Sequence, residues 1–120
     1  MAVTLETNAR NAAADAVVDL LDGGTIQLQT SGGTEVATLT FGTPAFGAAA
    51  TGVATANSIT SDTSATGGTV TKAAFYTSGA AKVMECAVGT SGSDINMDST
   101  TVSAGVTVAI TALTYTQPAS

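Results

Sequence analysis

A protein core is built from side chains that remove apolar area from water, and this sequence holds few of the large ones. Ala and Thr occur 23 times each, Gly 13 and Ser 10, so these four small residue types fill 69 of 120 positions. Trp and His are absent, and the aromatic set is Phe41, Phe46, Phe75, Tyr76 and Tyr115. A chain of this length is expected to form one domain with one core, residues 1–120. Such a domain leaves a large share of its surface in water, and small side chains contribute little each when buried. Burial against neighbouring chains is the expected remedy.

The charge balance narrows the partners. Nine acidic residues against Arg10, Lys72 and Lys82 leave a net charge of −6. Phosphate recognition rests on Lys and Arg, so neither nucleic acid nor an anionic membrane surface is expected as a partner. Charged residues make up 10% of the chain, against about 25% in ordinary globular domains, so the surface must be rich in Thr, Ser and Ala. The lack of His removes the commonest general base and metal ligand, and the single Cys86 permits no disulfide within the chain. No catalytic residue, cofactor or metal site is expected, and the chain reads as non-enzymatic. The first residues carry no basic segment followed by an apolar stretch, and no window approaches the roughly 20 apolar residues of a membrane span. Synthesis in the cytosol is the expectation.

Hydrophobic periodicity divides the chain in two. From Asn8 to Asp22, Ala9, Ala12, Ala13, Ala16, Val17, Leu20 and Leu21 recur at helical spacing, with Asp15, Asp19 and Asp22 largely on the other face. Thr4 or Thr7 is the expected N-cap, and Gly23-Gly24 supplies the C-terminal stop. A helix of about fifteen residues is marginal alone in water, so this stripe needs an apolar partner. Residues 1–24 are accordingly read as an N-terminal arm and helix.

From Thr25 the period changes to two, which predicts a β-sandwich or jelly-roll-like domain over residues 25–120. Ile26 and Leu28, then Val36, Leu39 and Phe41, flank the turn Ser31–Thr34 and predict a first hairpin. Val70–Tyr76 and Lys82–Val88 around Ser78-Gly79 predict a second. A weak strand is expected in Ala48–Ile59. Ser61–Gly68 has no apolar anchor and is expected as an exposed, mobile loop. Val102–Tyr115 reads as the longest β-run, with Val106, Val108 and Ile110 on one face and Leu113 and Tyr115 on the other. That phase change predicts a bulge or a crossing between sheets.

Several constellations invite a functional reading, and each has a plainer one. Asp94-Ile95-Asn96-Met97-Asp98 has the spacing that opens a calcium loop, but Ser99 stands where the loop glycine belongs and Gly105 where the bidentate carboxylate belongs. Alternation with Ile95 and Met97 buried explains it as well. Cys86 reads as a buried structural thiol. The three helix aspartates read as a solvated face. Threonine-rich strands could present hydroxyl ladders to sugar, yet aromatic platforms are few, and Phe41, Phe46 and Phe75 are expected in the core.

Four segments resemble a family of small structural proteins encoded by tailed bacteriophages and prophages. They are Asn11–Gly24 (NAAADAVVDLLDGG), Ala37–Gly47 (ATLTFGTPAFG), Gly52–Ser64 (GVATANSITSDTS) and Val88–Thr100 (VGTSGSDINMDST), and the likeness spans nearly the whole chain. The resemblance implies a virion component assembled in the bacterial host cytoplasm, foremost a capsid decoration or cement subunit. Its expected partners are the major capsid protein and further copies of itself, a trimer among the options. The alternatives are a tail- or fibre-associated module binding host glycans through Ser61–Gly68, and a small hydrolase, for which the sequence offers no base. Candidate interaction residues are Ala2, Val3 and Leu5 in the arm and Ala13, Val17 and Leu20 on the helix.

Overall fold

The computed structural model describes residues 3–92, 95–96, 99–110 and 113–117. It is mainly β, with one helix near the N-terminus followed by largely antiparallel sheets in a sandwich-like arrangement. The helix α1 spans Thr7–Asp19. The strands are β1 (Thr25–Gln29), β2 (Glu35–Phe41), β3 (Val53–Thr55), β4 (Ile59–Thr60), β5 (Gly68–Thr69), β6 (Lys72–Tyr76), β7 (Lys82–Gly89), β8 (Ile95–Asn96), β9 (Thr101–Val102) and β10 (Thr114–Thr116).

The helix begins and ends differently from the reading by pattern. Glu6, extended at φ −73° and ψ 165°, is the N-cap and makes no side-chain cap bond, so neither Thr4 nor Thr7 fills that role. At the other end the N–H groups of Leu20, Leu21 and Asp22 bond to the carbonyls three residues back, which tightens the last turn and stops α1 at Asp19. Gly23 then turns left-handed at φ +66°. Gly24 passes against the end of β6, where a Cβ would lie 2.0 Å from the Tyr76 carbonyl oxygen. Only glycine fits that crossing.

Both predicted hairpins form. β1 pairs with β2 and β6 with β7, and β1–β6 pairing joins the hairpins into a six-stranded sheet ordered β4-β2-β1-β6-β7-β8. All its pairs are antiparallel except β7–β8. Alternation places Ile26 beside Leu39 and Phe75, and Leu28 beside Ala37 and Ala73, all buried. The opposite face carries Thr25, Gln27, Gln29, Thr38, Thr40 and Tyr76. Register shifts at Leu28/Gln29 and at Phe75/Tyr76 leave Val36 and Val83 as extra residues on β2 and β7.

The inner face of the sheet joins one hydrophobic cluster with Val18 and Leu21, Phe46, Ala54, Val102 and Val108. Three phenylalanines belong to this cluster. The Phe41 ring lies 5.6 Å from that of Phe46 and 6.2 Å from that of Phe75. The short pairs β3–β10 and β5–β9 form separate two-stranded sheets, and α1 packs against β3 and β10.

The weak strand expected in Ala48–Ile59 is β3, with Ile59 opening β4. Two expectations about the irregular parts need correction. The run Val102–Tyr115 is not one strand: β9 pairs with β5, Val108 bridges Asp62, and β10 pairs with β3. Val106, expected to share a face with Val108, is 42% exposed while Val108 is 7% exposed. Ser61–Gly68 is held at both edges rather than loose. Ala65 is buried, the Thr66 and Gly67 N–H groups both donate to the Val36 carbonyl, and Asp62 and Val108 exchange both backbone hydrogen bonds. Pattern reading missed this because the anchors are backbone groups and a single alanine.

Candidate interaction surface

The helix divides its side chains in an unexpected way. Its buried line is Ala14, Val18 and Leu21. A second line, Asn11, Asp15 and Asp22, turns toward the segment before β3. The Gly52 N–H donates to Asn11 Oδ1 at 2.8 Å, the Ala49 N–H to Asp15 Oδ1 at 2.8 Å, and the Ala45 N–H to Asp22 Oδ1 at 2.7 Å. Backbone donors that no strand pairs are thereby satisfied by the helix. Asp15 and Asp22 are therefore attachment points and not members of a solvated face, while Asp19 is exposed.

Arg10 completes the attachment. Its Nε donates to the Gln117 carbonyl at 3.3 Å, and its guanidinium lies so close to Gly52 that an added Cβ there would meet it at 2.5 Å. The tip Ala50–Val53 is a two-residue turn with Thr51 and Gly52 both left-handed, at φ 50° and 78°. One turn of helix thus fixes a loop, a turn and the C-terminal strand.

With Arg10, Asn11 and Asp15 engaged inward, α1 leaves several apolar side chains exposed beside Asn8 and Asp19. Ala9, Ala12 and Ala16 are exposed, Ala13 and Val17 half-buried, and Leu20 55% exposed. The arm adds exposed Val3, at 63%, and half-buried Leu5. Ala13, Val17 and Leu20 thus flank the buried line and share one helix face, spaced by four and three residues. Of the stripe expected to need an apolar partner, Leu21 is covered by the chain's own core, while Ala13, Val17 and Leu20 lie to one side of the buried line. Ala2 lies outside the described residues. The engaged polar line was missed, and its signal in the sequence was Asn11, Asp15 and Asp22 recurring at four and seven residues along an alanine-rich helix and the turn that follows it.

Elsewhere, carboxylates serve as structural acceptors. Thr38 donates its N–H to Asp62 Oδ2 at 2.9 Å and its hydroxyl to Glu35 Oε2 at 2.8 Å. Asp62 Oδ1 accepts the Ser64 N–H, and Glu35 Oε1 the Thr66 hydroxyl. Hydrogen bonds from the Thr38 and Ser64 N–H groups hold the Asp62 carboxyl below its ordinary value. On the sheet's other face Gln29, itself buried, donates from Nε2 to Gln27 and to the Tyr76 hydroxyl. Lys82 and Glu85 form an exposed ion pair that raises the lysine and lowers the glutamate.

Cys86 is half-buried against the core, less enclosed than expected. Of the calcium-like segment, Asp94, Met97 and Asp98 lie outside the described residues, and Ile95 is buried as alternation predicts. Among the described residues, no group of three or more His, Cys, Asp or Glu side chains is arranged to hold a metal ion, and no helix is long and apolar enough to cross a membrane. In comparisons with known proteins, no family model, curated protein or solved structure matches the chain.

Proposed function

We propose that this chain is a non-enzymatic structural subunit of a tailed-phage virion, foremost a decoration subunit that stabilises the head lattice through protein–protein contacts. The observation that carries the reading is the set of exposed apolar side chains on α1 and its C-cap, Ala9, Ala12, Ala16 and Leu20, while Asn11 and Asp15 are committed to the chain's own backbone. Such a face gains free energy only when another surface covers it. The four segments that resemble phage structural proteins support the same reading, and Asn11–Gly24 is the segment that builds this helix. A lattice repeats a modest interface many times, so small side chains suffice where a single complex would need large anchors.

The experiment measures copies per particle and uses Leu20→Asp as the probe. Copy number near that of the major capsid protein is expected, together with heat-sensitive heads when the subunit is missing. Leu20→Asp is expected to stay folded and monomeric but to leave the particle. Full retention of the variant on heads, or a few copies confined to the tail, contradicts the proposal.

A further inference from the structure

We infer that the Asp22-Gly23 bond is a modification site, an aspartate isomerisation centre that the closed helix–loop junction keeps silent. It is the only Asp-Gly or Asn-Gly step in the sequence. Glycine at the second position leaves the following amide nitrogen unshielded. That nitrogen attacks the aspartate side-chain carbon, an N–Cγ bond forms, the Cγ–O bond breaks, and water leaves with the amide proton. The resulting succinimide takes up water at either carbonyl. Cleavage at the former side-chain carbon restores aspartate, and cleavage at the main-chain carbon gives isoaspartate, with one extra methylene in the backbone.

The structure holds the two reacting groups by separate attachments. The Gly23 N–H donates to the Gly42 carbonyl at 3.0 Å, and Asp22 Oδ1 accepts the Ala45 N–H at 2.7 Å. Gly23 is left-handed at φ +66°, and the next residue, Gly24, lies so close to β6 that an added Cβ would meet the Tyr76 carbonyl oxygen at 2.0 Å. Attack needs the Asp22 side-chain carbon and the Gly23 nitrogen to come together, and movement of either group out of its place breaks one of these bonds. Both acceptor and donor belong to residues 42–45, so the chemistry proceeds only when that segment leaves the helix end. The rate then reports the opening of this junction, as amide exchange does. Once formed, isoaspartate moves the carboxylate away from Ala45 and lengthens the link into β1, so the junction does not reclose.

The test incubates the native protein and the urea-unfolded protein side by side at neutral pH, quantifying isoaspartate by peptide mapping. A parallel arm uses Asp22→Asn, which keeps the Oδ1 acceptor and reads the same ring closure as a one-dalton gain. Conversion is expected to be slower in the folded chain by at least about tenfold, in both arms. Equal rates in folded and unfolded protein, or an unfolded chain that modifies elsewhere but not at Asp22, overturn the inference. Isoaspartate-containing protein is further expected to melt below the unmodified protein, and equal melting contradicts the proposed loss of closure.

Discussion

Ala80 closes the β6–β7 turn at φ +68°, a left-handed conformation in which its Cβ crowds the backbone. The turn itself is well bonded, with the Ala80 N–H on the Thr77 carbonyl and the Ala81 N–H on the Thr77 hydroxyl. Ala80→Gly should therefore relieve strain without losing a bond and raise stability by about 0.5–1 kcal/mol, visible as a higher Tm in a thermal melt. Asp62 gives a pH-dependent counterpart. Its folded pKa lies below the ordinary 3.8, so below that value the unfolded chain binds more protons than the folded one. Its contribution is complete above the unfolded pKa and is lost as pH falls through the folded one. Asp62→Asn should accordingly flatten the acid limb of a stability–pH profile below about pH 4 while leaving the neutral region parallel to the parent. Glu35 accepts the hydroxyl of the same Thr38, so Glu35→Gln serves as the control for removing a neighbouring carboxylate charge.

At the scale of elements, α1 is decided by packing and not by propensity. Its alanines favour helix everywhere, but only the line Ala14, Val18 and Leu21 enters the core. Val18→Ala should cost about 2 kcal/mol by opening space in a filled site. Leu20→Asp, two residues away on the exposed side, should cost little and leave a folded monomer. Chemical denaturation of the two variants separates these expectations, and a reversed order shows that the helix sits on its other face.

For the whole molecule, stability should be graded outward from the strands that are paired on both sides. β1 and β6 lie at the centre of the six-stranded sheet, while β4 and β8 contribute two residues each. Hydrogen exchange should find the slowest amides in β1 and β6. It should also find the Thr66 and Gly67 amides protected, because both bond to the Val36 carbonyl within a segment pinned by Asp62. Exchange of those two amides at the rate of an open loop contradicts the docking of Ser61–Gly68 described above.

Much of the fold was legible in local chemistry. Two strands of alternating character around a glycine-containing turn can pair only with each other at short range, so the β1–β2 and β6–β7 hairpins followed from neighbours in sequence. The fate of Phe41, Phe46 and Phe75 followed as readily, since large aromatic groups are rare here and have few places to go. Tertiary structure decided which side of the helix is buried, because consecutive alanines at 12, 13 and 14 make several helix lines nearly equal in hydropathy. It also decided that Asn11, Asp15 and Asp22 bind loop amides, that Ser61–Gly68 is docked, and that Val102–Tyr115 is shared among three pairings. In each case the partner is a backbone group remote in sequence, and backbone groups are the same whatever residue carries them.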